Sequence, residues 1–328
     1  MSWLRDVKRR AAAAQALVLV AVIGAGALLA HQAHVNLAQR GIATGFGFLS
    51  REASFDIGES PIRYDPSDSY ARALAVGLAN TAKAAAIGLI GATVLGVAVG
   101  LARLSRNALA ARLASAWVET LRNVPLLLQL FVWYGAITEL LPGPRAALTP
   151  LSGVYLCNRG VFFPLPTWDA SGGLALARPA LTGFNFEGGA SISPELVALI
   201  LGLVTYTSAF IAEIVRAGVL AVPRGQIEAA RALGLARGTT LRRVVLPQAL
   251  RLIVPPLTSQ YLNLVKNSSL GVAVGYPELV SIANTTINQT GQAVEGIAIV
   301  MATYLAVSLA LSALANGWER SRPWVVAR

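Results

Sequence analysis

Charged residues are scarce in this chain of 328 residues, and their scarcity excludes several kinds of protein and site. Charged side chains make up 13% of the sequence and hydrophobic ones 55%, a balance too apolar for a soluble globular protein. The single cysteine, Cys157, excludes a disulfide within the chain. The two histidines, His31 and His34, have no cysteine or acidic residue beside them, so the sequence predicts no metal site.

The chain also lacks the parts of an ATP-binding or catalytic site. No glycine-rich phosphate loop of the GxxxxGK[ST] type occurs in it. No polar cluster of the kind needed by an integral-membrane enzyme is present either. We therefore predict that the chain is not an enzyme and binds no cofactor itself.

What the sequence does have is a series of long apolar runs. Several reach the ~20 residues that a helix needs to cross a bilayer. Pro125 interrupts the third run and Pro255-Pro256 the fifth. The runs predict an all-α integral membrane protein with about six transmembrane helices, near residues 12–33, 78–102, 117–142, 195–220, 246–276 and 294–316.

The net charge of +11 follows from topology and not from a nucleic-acid partner. Lysine and arginine gather at the N-terminus, between spans two and three, in 216–251 and at the C-terminus. The intervening loops are poorer in them, and 275–295 has none. This alternation is the positive-inside pattern, which puts both termini in the cytoplasm and requires an even number of spans. The first apolar run exceeds the ~7–15 residues of a secretory signal, so we read it as a retained span.

The basic segment 223–247, PRGQIEAARALGLARGTTLRRVVLP, lies between two apolar runs. A membrane helix cannot hold the seven arginines of 216–251 in hydrocarbon, so the segment must be cytoplasmic. Its pattern predicts two short helices hinged at Gly234, because glycine accepts the turn between them. A structured cytoplasmic loop in a chain buried in the membrane indicates a docking surface for another protein.

The motif in this loop resembles the coupling motif of permease subunits of binding-protein-dependent ABC importers. Three further segments resemble the polar amino-acid permeases among them: ETLRNVPLLLQLFVWY (119–134), SAFIAEIVRAGVLAVPRGQIEAARALGL (208–235) and LNLVKNSSLGVAVGYPELV (262–280). The first span, residues 36–50 and the 143–193 insertion are similar to the larger permease of general L-amino-acid importers of the Aap/Bzt type.

The resemblance implies a type I importer fold whose coupling helices, at 223–245, move with a separate ATPase that binds ATP and magnesium. Glu228 would pair with a basic residue of that ATPase. The other implied partners are a second related permease in a heterodimer, a periplasmic amino-acid-binding protein and the lipid of the bacterial inner membrane. The coupling residues are Glu228, Ala229, Ala230, Gly234, Leu246 and Pro247.

Polar side chains inside the predicted spans are candidates for the substrate path, because such residues face a partner helix or a water-filled route. We expect prolines next to them to free backbone carbonyls that can line a cavity. A neutral amide at residue 260, where relatives selective for basic amino acids appear to have a carboxylate, fits broad or neutral substrates. The candidates are Gln129, Thr205, Ser208, Thr258, Gln260 and Asn263.

The prediction is thus a permease that moves amino acids, with a broad range of L-amino acids as the specific expectation, through an ATP-driven importer. The alternatives are a permease for another small polar solute, or a secondary transporter without an ATPase. The sequence shows neither the inverted repeat nor the deep carboxylates that favour a secondary transporter. The predicted regions are 1–70 (first span and exterior segment), 71–142 (spans two and three), 143–193 (exterior insertion), 194–320 (permease core) and 321–328 (cytoplasmic tail).

Overall fold

The computed structural model describes residues 7–39, 41, 44–168 and 174–320. Within these ranges the chain is mainly helical. The helices are α1 (Val7–Gln39), α2 (Tyr70–Arg103), α3 (Ala108–Asn123), α4 (Leu126–Gly135), α5 (Pro194–Leu220), α6 (Arg224–Ala232), α7 (Arg237–Thr240), α8 (Leu246–Asn267), α9 (Leu279–Thr290) and α10 (Ala293–Arg320). Short π-helical segments follow α4 and α7, at Ala136–Leu140 and Leu241–Val245, and a 3-10 segment follows α8 at Ser268–Val274.

Four helices are long and apolar enough to cross a membrane: Ala11–Leu29 within α1, then α2, α5 and Ala293–Gly317 within α10. The third and fifth predicted spans do not meet that measure as single helices. The third is divided between α3 and α4, and the fifth carries polar residues along α8. The segment 34–39, expected to be part of an exterior loop, instead extends α1.

Helices α2 and α5 form the centre of the bundle and pack along each other, and α5 also contacts α3, α4 and α8. Small residues on α2 permit this contact. A Cβ added to Gly96 would lie 2.6 Å from the Cβ of Ile211, and one on Gly100 would lie 2.8 Å from the carbonyl oxygen of Ala212. The small-residue stripe on α2 therefore serves close packing within this chain.

The two proline sites behave differently. At Pro125 the helix is broken, because α3 ends at Asn123 and α4 begins at Leu126. At Pro255-Pro256 the sequence predicts an interruption, yet α8 continues through both prolines to Asn267. Packing of α8 against α5 and α10 holds the helix together there. The missing amide hydrogens still leave the carbonyls one turn earlier without their usual helical donors.

The exterior insertion corrects the all-α prediction, because it is built of β-strands. The strands are β1 (Leu148–Leu151), β2 (Val154–Cys157), β3 (Gly160–Phe163), β4 (Leu165–Trp168), β5 (Leu174–Ala177), β6 (Ala180–Thr182), β7 (Asn185–Glu187) and β8 (Ala190–Ile192). Strands β1, β2, β3 and β8 make one antiparallel sheet, and β4–β5 and β6–β7 are separate hairpins.

A small core of its own stabilises this insertion. Cys157, Phe162 and Phe186 are buried together, and the ring of Tyr155 stacks on that of Phe186 with centroids 4.5 Å apart. The strands are only three or four residues long. Such short strands carry too few alternating positions to be recognised from sequence.

The exterior segment before α2 is ordered and attached to the far end of the chain. It contains a 3-10 helix at Phe46–Ser50, and Phe48 is buried against a cluster that includes Tyr70 and Leu279. The amide of Gly45 donates to the carboxylate of Glu295 (2.6 Å), and Gln292 Nε2 donates to the carbonyl of Gly45 (2.8 Å). These bonds connect the segment to the start of α10.

Candidate functional site

The basic loop 223–247 forms two helical segments with a turn between them, at the positions expected from the motif. Helix α6 ends at Ala232, and Gly234 adopts the left-handed conformation with φ 71°. The amide of Gly234 donates to the carbonyl of Arg231 (2.9 Å), and the amide of Leu235 donates to that of Ala230 (3.1 Å). This pair of bonds is the Schellman arrangement that closes a helix. No neighbouring atom lies close to Gly234, so its backbone conformation alone explains why this residue is glycine.

The side chains of α6 divide between the protein body and the surface. Ala230 is buried, and Ile227 packs against the main hydrophobic core beside Val245. Glu228 and Ala229 are exposed. Leu233, three residues after Ala230, is 80% exposed. The helix is thus fixed to the core by one face and presents an acid and a large apolar side chain on the other.

The second helical segment carries the motif into the membrane without a break. Helix α7 continues through the π-helical segment Leu241–Val245 into α8. Leu246 is the first residue of α8 and Pro247 follows it, so in this continuous helix the missing amide hydrogen of Pro247 leaves a carbonyl of the preceding turn without its helical donor. Any movement of α7 would therefore be passed directly to α8.

The charge of this loop is almost entirely positive. From residue 216 to 251 Glu228 is the only acidic residue, and the five arginines of the loop itself are exposed: Arg224, Arg231, Arg237, Arg242 and Arg243. An isolated carboxylate among arginines makes a distinct electrostatic feature for a partner to recognise.

Three of the six substrate-path candidates form a buried network between helices. Gln129, 5% exposed, donates through Nε2 to the carbonyls of Leu121 (2.9 Å) and Val124 (3.0 Å). Its Oε1 accepts from the hydroxyl of Thr205 (3.3 Å), and Ser208 donates to the carbonyl of Thr205 (2.8 Å). In a continuous helix the Leu121 carbonyl would accept from residue 125, which is proline. Gln129 therefore satisfies carbonyls at the break.

The other three candidates lie on α8. Thr258 is half-buried, donates to the carbonyl of Val254 (3.1 Å) and lines an apolar crevice against Leu311 of α10. Gln260 is half-buried and Asn263 is exposed. Being three residues apart, these two share one side of the helix, where they are open to a neighbouring chain or to a water-filled route.

A charged cavity that the sequence analysis did not single out lies between α2, α3 and α5. It has a volume of about 470 Å³. Arg103 and Arg216 both form ion pairs with Glu213, Arg216 at 2.5 Å. The sequence feature that could have indicated this cavity is the presence of charged residues inside the predicted third and fourth spans. The residues that line the cavity include Arg103, Glu119, Arg122, Asn123, Phe210 and Glu213.

Comparison with known proteins agrees with this fold. Residues 92–321 match the family described as binding-protein-dependent transport system inner membrane component. Over 93% of its length the chain is 45% identical to a putative amino-acid ABC transporter permease protein, YhdX, of Escherichia coli strain K12, covering 92% of that protein. It is 40% identical over its full length to the general L-amino acid transport system permease protein AapQ of Rhizobium johnstonii, of which 95% is covered.

A solved structure supports the same assignment. The crystal structure of an amino acid ABC transporter with histidines superposes with a TM-score of 0.58 at 25% identity, over 77% of this chain and 95% of that one. These matches confirm the resemblance predicted from the segments 119–134, 208–235 and 262–280. The chain therefore belongs to the family of inner membrane components of binding-protein-dependent transport systems.

Proposed function

We propose that this chain is a transmembrane permease subunit of an ATP-driven ABC importer, and that a separate ATPase subunit docks on α6. The observation that carries the proposal is the two-sided arrangement of that helix. Ile227 and Ala230 fix it to the core, while Glu228 and Leu233 are presented outward. A helix held in this way moves as a rigid unit. It transmits a displacement caused by the ATPase in the cytosol to α8.

The substrate class is amino acids, with a broad range of L-amino acids as the specific proposal. Two relatives that align over more than nine-tenths of the chain are named as an amino-acid permease and as a general L-amino acid permease. The neutral amide of Gln260 on the accessible side of α8 fits a range that is not restricted to cations. A permease for another small polar solute is the alternative.

The proposed topology has six crossings of the bacterial inner membrane with both termini in the cytoplasm. The crossings are α1, α2, the α3–α4 pair, α5, α8 and α10. Helix α9 and the β-sheet insertion then lie outside, and α6 and α7 lie inside. The distribution of lysine and arginine along the chain supports this orientation.

The proposed assembly supplies what this chain lacks. ATP and magnesium are bound by the ATPase subunits, and this chain has no enzymatic activity and holds no cofactor. Substrate arrives on a periplasmic amino-acid-binding protein. A second, related permease pairs with this chain as a heterodimer, so that two sets of α8 side chains face each other.

The test is retention of the chain by its ATPase. An affinity-tagged ATPase subunit should retain the detergent-solubilised wild-type chain and lose a variant that lacks residues 223–245. Because such a deletion can disturb folding, Leu233→Asp is the sharper variant. Leu233 is 80% exposed, so the change leaves the core intact and removes only an apolar contact with the partner.

Leu151→Asp is the matched control, since Leu151 is 70% exposed but lies in β1 of the insertion, away from α6. It should be retained like the wild type. Equal retention of both leucine variants and of the deletion would contradict docking at α6, and would favour a secondary transporter.

A further inference from the structure

The charged cavity between α2, α3 and α5 begins at the last residue of α2, Arg103, and extends to charged residues within the predicted third and fourth spans. Glu213 precedes the last residue of α5 by seven positions, which places it roughly 10 Å inside the cytoplasmic end of that helix. Ionisable side chains within a membrane span are costly and mark a functional route or a paired structure. Four of them, two of each sign, line this one cavity: Arg103, Glu119, Arg122 and Glu213.

Among the described residues, only two of these four side chains, Arg103 and Glu213, form ion pairs within the protein. Arg103 and Arg216 neutralise Glu213, and Arg103 Nε also donates to Ser115 Oγ (3.3 Å), which joins α2, α3 and α5. Within the described part of the chain, neither Glu119 nor Arg122 forms an ion pair. Both are exposed toward the cavity opening, and they lie one helical turn apart on α3.

Arg122 is held in place without being neutralised. Its guanidinium carbon lies over the ring of Phe210, 5.1 Å from the centroid. A cation–π contact of this kind orients the planar group while its hydrogen-bond donors stay available. Such a guanidinium suits a carboxylate, which it can bind through two parallel hydrogen bonds.

We propose that this cavity is an inner binding site for an amino-acid zwitterion, a deepening that rests on the proposed function. The α-carboxylate binds Arg122 and the α-ammonium binds Glu119. The volume of about 470 Å³ leaves room for the side chain of the substrate. Glu213 is already paired with Arg103 and Arg216, so no carboxylate besides Glu119 is left in the described lining to select a cationic side chain. The site therefore recognises what all amino acids share, and it serves substrate on the cytoplasmic side of the transport path.

The local test uses alkylation of a cysteine placed in the cavity. In the assembled complex with Cys157→Ser, Asn123→Cys puts a thiol in the cavity lining and Arg112→Cys puts one on exposed α3 surface outside it. L-glutamine should slow alkylation at position 123 in a saturable way and leave position 112 unaffected. Addition of Arg122→Gln should weaken the protection by about 10-fold or more, because a charged hydrogen-bond partner is lost.

Ligand analogues test the two contacts separately. In the wild-type cavity 4-aminobutanamide, which is glutamine without its carboxylate, should protect about 10-fold less well than glutamine. That difference should disappear in Arg122→Gln and be partly restored in Arg122→Lys. Glu119→Gln should abolish the difference between glutamine and glutaramate, its analogue without the ammonium, and Arg112→Gln should change neither comparison.

Two results would overturn the proposal. One is protection at position 123 that Arg122→Gln and Glu119→Gln leave unchanged. The other is the finding that phosphatidylethanolamine occupies the cavity. This lipid would then co-purify with the wild type but not with Arg122→Gln, and it would block alkylation at position 123 in the absence of glutamine. Such a result would assign the cavity to a lipid headgroup. Import of glutamine by the wild-type complex in proteoliposomes, dependent on ATP, checks the proposed function independently. If import occurs and protection does not, only the inner site fails.

Discussion

Glu228 and Ala230 are two residues apart on α6, and their side chains point in opposite directions relative to the protein body. Ala230 is 4% exposed against the core, so its small size allows α6 to approach the start of α8. Glu228 is exposed, and its only described surroundings of opposite charge are the arginines of the same loop. One motif thus combines an attachment residue and a recognition residue.

Reversing the charge of Glu228 should uncouple transport from ATP hydrolysis without affecting membrane insertion. Glu228→Lys removes the carboxylate that we expect to pair with a basic group of the ATPase, at a cost of about 2–5 kcal/mol if the docked pair is desolvated. Transport and ATP hydrolysis are to be measured together in proteoliposomes. Glu139→Lys, a reversal at an exposed residue after α4, is the control. Wild-type transport by Glu228→Lys would remove this residue from the coupling surface.

Gln260 tests whether α8 lines the substrate path. A carboxylate in a low-dielectric site attracts cations and repels anions by up to a few kcal/mol. Gln260→Glu should therefore shift binding toward lysine and away from glutamate, with assembly unchanged. The binding protein filters substrates first, so the measurement is direct binding to the solubilised complex. If the relative affinities for lysine and glutamate do not change, Gln260 is not in the site.

At the scale of elements, the break between α3 and α4 is the feature that most requires hydrogen bonds from side chains of the bundle. A broken helix exposes carbonyls inside a membrane, where each unsatisfied group is costly. Gln129 caps two of them and is in turn held by Thr205 of α5. Ser208 connects the same network to Trp117 of α3, whose Nε1 donates to its hydroxyl at 3.4 Å. The polar residues here join three helices.

Removing the amide of Gln129 should therefore destabilise the protein. Gln129→Leu leaves the carbonyls of Leu121 and Val124 without donors, at about 1–3 kcal/mol for each group. The thermal unfolding midpoint of the solubilised complex should fall, as followed by tryptophan fluorescence. Asn288→Leu, which removes an exposed amide on α9, is the matched control and should leave the midpoint within error. An unchanged midpoint for Gln129→Leu would indicate that water replaces the side chain.

At the scale of the whole molecule, the chain is a helical bundle with attachments on its exterior side. The segment from Gly45 to Ser69 is bonded to the start of α10 and to α2, and Glu59 pairs with Lys83 of α2 while accepting from the hydroxyl of Ser193 (2.6 Å). Lys83 therefore has a fixed partner at the outer end of the bundle. These contacts make the exterior segment part of the folded body.

The topology gives a prediction at the same scale. A reporter that is active only in the periplasm should give a signal when fused near positions 60, 165 and 285, and none near 108, 235 and 325. The physical basis is the asymmetry of lysine and arginine between alternate loops. A periplasmic signal at position 235 would be incompatible with both the topology and the docking of an ATPase on α6.

The sequence predicted those features that depend on residues close together along the chain. The apolar runs matched α1, α2, α5 and α10, and Gly234 adopted the positive φ that the motif required. Sequence reasoning was less successful where distant residues decide the outcome. It placed a break at Pro255-Pro256 because it could not include the packing of α5 and α10 around α8. It missed most strands of the insertion, whose pairing joins β3 to β8 across about thirty residues.

The sequence by itself thus determined the membrane character and the turn of the coupling motif, because hydrophobicity and turn preference act within one or a few turns. Only the tertiary structure decided the role of each polar residue inside the bundle. Gln129 and Thr205 are 76 positions apart in the sequence and form a buried hydrogen bond between two helices. Gln260, by contrast, remains half-buried on α8. Arg122 and Phe210 similarly meet across two helices to shape a cavity. A polar side chain in a membrane takes its role from the group that it meets, and folding brings that group from elsewhere in the chain.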